Sequence, residues 1–384
     1  MCSAFRSLET CRNPGVRIAA WCPPEVGYAQ SLLALAAVIG CGSPEGQRAQ
    51  ESGACASCTV QLVEVGRISD RELPGALPER MAFVSRRADG LFVTVHAEAN
   101  QILLFRSDGT IARRFGQPGD GPGEFRRIRR VLIGPENSLI VSDWGTGRLT
   151  YLDSALNVVR MMPTTTLPSL ALPEGRLLMA EHIMTPDRIG YPLHTVAASG
   201  EVERSFGSDT PEYAPNARLA TTRLAAASPD GSIWTVPPGR YLLEHWDPVT
   251  ATRQDSFELH EPEITPIEQW PTDGSRPPPG VIESIWTDPQ GMVYLLLRVA
   301  DPAWTSPHDP DAEVMYTPES YDATYDWIVH VIDPATHVVV ARLRHGTALW
   351  GRPGSALLTS LVTDGESGTV EFKVFEVRFD LPRR

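Results

Sequence analysis

From residue 60 onward the chain alternates short apolar runs with turn residues, the pattern of half-buried strands joined by hairpins. The first unit contains Met81-Ala82-Phe83-Val84, a turn at Asp89-Gly90, and Leu91-Phe92-Val93-Thr94-Val95. It continues with Gln101-Ile102-Leu103-Leu104-Phe105, a turn at Asp108-Gly109, and a last run from Thr110 to Phe115. Glycine after aspartate supplies the positive φ that tight hairpins need. The unit then recurs. In the second copy Arg130-Val131-Leu132-Ile133, Leu139-Ile140-Val141-Ser142-Asp143, Arg148-Leu149-Thr150-Tyr151-Leu152 and Val158-Val159-Arg160-Met161 fall at matching intervals. Looser copies begin near Leu177, Ala225, Ile282 and Ala356. The last copy is one strand short, whereas Val60-Gln61-Leu62-Val63-Glu64-Val65 has no neighbour before the first. Pairing that strand into the last unit would close a ring and remove two exposed edges. The expected fold is therefore all-β: a six-bladed β-propeller over residues 60–384, with four-stranded antiparallel blades and an N-terminal closing strand.

Between the first two units lies Phe115-Gly116-Gln117-Pro118-Gly119-Asp120-Gly121-Pro122-Gly123-Glu124-Phe125. So much glycine and proline excludes a helix or a central strand. This junction, with the preceding Arg114, resembles the blade junction of NHL-type propellers. Asp143 at a strand end, followed by a loop and Arg148, is similar to the same consensus; His96 stands at the position of Asp143 in the first unit. The resemblance implies a recognition platform for protein, peptide or glycan ligands. It also leaves open an alternative, a calcium- or zinc-dependent hydrolase, lactonase or lyase with its site in the central channel. For that alternative the metal candidates by position are His96, Asp143, His182, His194 and His245. Asp143 equally suits a loop cap.

The N-terminal region adds a destination. Leu32-Leu33-Ala34-Leu35-Ala36-Ala37-Val38-Ile39 is too short to span a bilayer but suits a signal segment. It runs into Gly40-Cys41, which resembles a bacterial lipobox and implies lipidation of Cys41 after cleavage. Residues 1–41 are thus expected to be a signal peptide and 42–59 a flexible tether. The basic flank expected of a signal peptide is missing, because Arg17 is the nearest basic residue before the run. Translation from Val16 or Val26 would account for that. The expected location is the cell envelope, outer membrane or periplasm-facing, with the membrane met through a lipid anchor only. Cys55 and Cys58 are expected to form a small disulfide in an exported chain.

Charge and motifs narrow the rest. The net charge of −13 excludes a general nucleic-acid binder. The basic cluster Arg126, Arg127, Arg129 and Arg130 reads as a solvated strand edge, with contact to an acidic ligand as the other reading. No nucleophile elbow, Walker motif, dinucleotide fingerprint or His-Glu-x-x-His occurs, so no cofactor is expected outside the metal alternative. Two acidic, aromatic loops, 261–279 and 301–326, offer Trp270, Trp304, Tyr316, Tyr321 and Tyr325 as candidate ligand contacts. A monomer is expected, since ring closure leaves only short edges.

Overall fold

The computed structural model describes residues 55, 58–78, 82–208, 222–264, 277–305, 321–363 and 368–380. Residues 1–54, including Cys41 and the apolar run before it, lie outside the described residues. The protein is nearly all β, with six antiparallel blades in a ring: a six-bladed β-propeller.

Each blade runs from a first strand at the channel to a fourth at the rim. Blade 1 comprises Ser85–Arg86, Phe92–His96, Gln101–Phe105 and Ile111–Phe115. Blade 2 comprises Ile128–Ile133, Leu139–Asp143, Arg148–Leu152 and Val158–Pro163. Blade 3 holds Leu170–Ala171, Leu177–Met179, Leu193–Val196 and Val202–Phe206. Blade 4 holds Leu224–Ala227, Ile233–Val236, Leu242–Asp247 and Thr252–Glu258. Blade 5 is built from Val281–Thr287, Val293–Ala300, Tyr325–Asp333 and Val338–His345. Blade 6 takes Trp350–Gly351, Leu357–Thr363 and Val370–Asp380 from the end of the chain, and its fourth strand, Thr59–Ser69, from the beginning.

That closure is the one the unpaired N-terminal strand called for. Thr59–Ser69 pairs antiparallel with Val370–Asp380 from Thr59 opposite Asp380 to Ser69 opposite Glu371, with one bulge between Glu64 and Gly66. The bulge falls at a point of close approach. A side chain at Gly66 would overlap the Phe92 ring and the Ser107 carbonyl, so only glycine lets the closing strand lie this close to blade 1. Arg67 and Ile68 then pair in parallel with Asp108 and Gly109, fastening blade 1 to the closure.

Six apolar clusters fill the six interfaces between neighbouring blades. Val93, Ile102 and Leu104 meet Val131, Leu139 and Val141 between blades 1 and 2, for example. Ile68, Phe92, Phe105 and Phe372 do the same where blade 6 meets blade 1. Middle strands are therefore covered on both faces, which is why Leu139-Ile140-Val141 and Leu295-Leu296-Leu297 are unbroken apolar runs rather than alternating ones.

The two ends of the strands are joined very differently. At one end, here called the turn face, every connection has four or five residues. Aspartate side chains close these turns: Asp153 accepts from the Ala155 and Asn157 amides, Asp230 from Ser232, and Asp288 from Gln290 and Met292. The opposite, loop face carries the long connections 70–84, 116–127, 180–192, 207–223, 259–280 and 301–324. The closing strand enters from the turn face at Thr59. Just before it, Cys55 and Cys58 are joined as a disulfide.

Replacing Ile68 by alanine tests the closure, because Ile68 is fully buried at the seam. Urea unfolding should show a loss of about 2–5 kcal/mol, the range for a buried Ile→Ala change. A loss below about 0.5 kcal/mol, as for a surface substitution, would mean that the seam is not packed as described.

Candidate functional site

The loop face is organised by two residues that stand opposite each other at the end of blade 2, Asp143 and Arg148. The Asp143 carboxylate is buried and accepts from the amides of Arg126, Arg127 and Gly145 and from the Thr146 hydroxyl. Burial alone would raise its pKa, yet these donors hold it below the ordinary carboxylate value. Arg148 reads the opposite polarity. Its guanidinium donates to the carbonyls of Asp120 (2.5 Å), Gly121 (2.8 Å) and Glu124 (2.6 Å). Together they pin the glycine-rich junction, one through its amides and the other through its carbonyls. Gly116, at φ 103°, is required there: a side chain would strike the Asn100 carbonyl and the Phe125 ring. Asp143 thus acts as a loop cap.

The five residues proposed as metal candidates are spread over four blades. His96 ends the second strand of blade 1, Asp143 ends that of blade 2, and His245 stacks on Trp234 inside blade 4. His182 and His194 both belong to blade 3, and the His194 ring bonds Ser205 Oγ at 2.8 Å. Among the described residues no three His, Cys, Asp or Glu side chains are placed to share a metal ion. The donor set that calcium or zinc would need is not assembled from them.

Of the aromatic candidates, Trp270 and Tyr316 lie outside the described residues. Trp304 is half-buried beside Asp301. Tyr321 and Tyr325 are brought together, their rings 4.9 Å apart, and pack with Trp327 and Trp350 where blade 5 meets blade 6. Arg298 lies over the Tyr325 ring at 4.4 Å and pairs with Glu283 at 2.6 Å. Tyr325 is buried, so its face is spent on packing. The acidic loop after blade 4 is likewise anchored: Glu261 pairs with Arg342, and Glu263 with Arg344, which also holds the buried Asp326.

The central channel holds what the sequence did not single out. The turn Arg352-Pro353-Gly354-Ser355 of blade 6 lies across it. The Gly354 amide donates to the Ile285 carbonyl of blade 5, Ser355 Oγ to the Val84 carbonyl of blade 1, and Arg352 Nη1 to the Val131 carbonyl of blade 2. A side chain on Gly354 would overlap Leu170 of blade 3 and approach the Ala225 carbonyl of blade 4. One turn thus touches all five other blades. It separates a turn-face cavity of about 320 Å³ from a loop-face cavity of about 330 Å³, and Arg352 and Pro353 line both. Arg129 and Arg130, half of the basic cluster, line the loop-face cavity. Arg126 instead pairs with Asp120 at the surface. A basic residue in a Gly-Arg-Pro-Gly turn was the available signal, but nothing in its neighbours says that the turn points inward.

No family model and no curated protein matches the chain. Solved structures do match by fold. A member of the DUF4221 family from Bacteroides vulgatus superposes with a TM-score of 0.55 at 12% identity, over 83% of this chain and 98% of its own. A candidate exported protein from Bacteroides fragilis gives 0.52 at 8% identity, over 86% and 98%. At such identities the likeness is one of fold alone.

Two measurements probe this face. Arg148→Ala should lower the unfolding free energy by about 1–3 kcal/mol, with Arg148→Lys recovering only part, because a point charge cannot span three carbonyls. Equal stability of Arg148→Ala and wild type in urea would show that the clamp is idle. His194 is fully buried, and burial pushes its pKa down to about 4. The unfolded chain takes up this proton near pH 6.5. The folded chain resists protonation down to about pH 4, so stability should fall as pH is lowered through that window. Thermal unfolding of His194→Gln should show a shallower dependence between those limits; an unchanged slope would contradict the assignment.

Proposed function

We propose that this chain is an exported propeller, tethered through lipidated Cys41, whose loop face recognises a protein, peptide or glycan partner. The observation that carries the reading is the asymmetry of the ring: short capped turns at one end, all the long connections at the other. Loops on a rigid scaffold are where binding residues concentrate. The loop face also exposes Phe83 (48%), Trp144 (55%) and Met184 (64%), large apolar side chains in blades 1 to 3. Thr59 enters from the turn face, so the chain ahead of it does not start from the loop face. No helix among the described residues is long and apolar enough to cross a bilayer. The NHL-type reading of the junction, with Asp143 and Arg148 as its clamp, fits a platform of this kind. The metal-dependent alternative gains no support from the placement of its candidate ligands.

The test is a peptide and glycan array probed with the full-length protein, followed by affinity measurements on the strongest ligand. A Trp144→Ala, Met184→Ser double variant should weaken that ligand by about tenfold or more. Val249→Ser, an exposed apolar residue on the turn face, should leave it unchanged. The opposite ranking of the two variants would place recognition on the wrong face. In cells, labelled palmitate should enter the wild type and not Cys41→Ser; equal labelling would remove the anchor from the account.

A further inference from the structure

The loop-face cavity carries positive charge that no described carboxylate pairs directly. Arg352 Nη1 has only the Val131 carbonyl, and Arg352 Nη2 is buried with no hydrogen-bond partner. Arg130 donates to the Pro168 carbonyl at 2.9 Å and to Ser169 Oγ at 3.4 Å. Among the described residues no carboxylate lies within ion-pair distance of Arg129, Arg130 or Arg352. The turn-face cavity differs in this respect, because there Arg86 is matched by Glu376. Neutral acceptors orient a guanidinium without cancelling its charge, and arginine keeps its proton at neutral pH. Two guanidiniums in a sheltered channel also repel each other. Burial, with Arg130 nearby, drives the Arg352 pKa down to about 9; burial lowers that of Arg130 too, against the pull of Glu181 and with a smaller push from Arg129. The tendency to shed a charge so placed is relieved by an anion.

The walls of the cavity state the rest of the ligand. Above the arginines stand Phe83, Val95 and Leu167, apolar side chains in a space of about 330 Å³, the lower end of the range for small-molecule sites. We propose that this cavity binds a small organic monoanion, its carboxylate between Arg352 and Arg130 and its apolar body against Phe83, Val95 and Leu167. The site shares Phe83 with the rim reading but uses neither Trp144 nor Met184, and a ligand here needs no macromolecular partner.

Isothermal titration of the full-length protein with 4-phenylbutyrate, at constant ionic strength, tests it. Saturable binding at one site is expected. Arg130→Met and Arg352→Met should each weaken it by about tenfold or more, and Arg129→Gln by roughly two- to fivefold. Arg126→Gln, outside the cavity, should bind as the wild type does. Arg129 is exposed and without an ion pair, so its variant decides the matter even where loss of Arg352 unseats the turn. Phe83→Ser should weaken phenylbutyrate more than acetate. Absence of saturable heat up to roughly 10 mM would overturn the proposal. So would wild-type affinity in the folded Arg129 and Arg130 variants, or binding of inorganic phosphate with none of phenylbutyrate.

Discussion

The pairing of Thr59–Ser69 with Val370–Asp380 is the constraint on which the rest of this molecule depends. A ring of blades has no interior until its first and last segments meet, and here they meet through a strand taken from the far end of the chain. Every other interface buries neighbours in sequence; this one joins residues about three hundred positions apart. It also fixes blade 6 against blade 1, and so fixes where the first turn of blade 6 points. That turn reaches the other five blades only in a closed ring.

The consequence is a channel that is stoppered rather than open. The stopper is made of backbone, one arginine and one serine hydroxyl, held by carbonyls of three blades and by the close approach of Gly354 to two more. Carbonyls along the inner strands are natural acceptors for such a turn, since those strands have no further neighbour on the channel side. What they do not provide is negative charge. Arg130 arrives from blade 2 with the same deficiency. A net negative protein therefore carries, at its centre, a pocket of the opposite sign, walled by apolar side chains. Desolvation strengthens electrostatics in such a place, which gives a small anionic ligand a reason to prefer it over the surface.

Much of this was legible in the sequence. The four-strand period showed in the first unit because its turns, Asp89-Gly90 and Asp108-Gly109, carry the chemistry that tight turns demand, and in the second because its apolar runs fall at matching intervals. The unpaired Val60–Val65 run announced the closure. Asp143 and Arg148 were visible at their spacing, although their division of labour, amides to one and carbonyls to the other, needed coordinates. The first strand of blade 3, Leu170–Ala171, was too short to register as a strand. The channel was not legible at all. Arg130 and Arg352 are far apart in the chain, and residues converging from separate blades leave no local pattern. Arg126, Arg127 and Arg129 are exposed as the composition of the cluster suggested, while Arg130 turns inward, and no property of the run distinguishes it.

The most direct test of the account is a crystal of the protein soaked in bromide and measured at the bromine absorption edge. The account predicts an anomalous peak in the loop-face cavity, within contact distance of both the Arg130 and Arg352 guanidiniums. A cavity with no peak, or an acidic side chain found paired with Arg352, would contradict it.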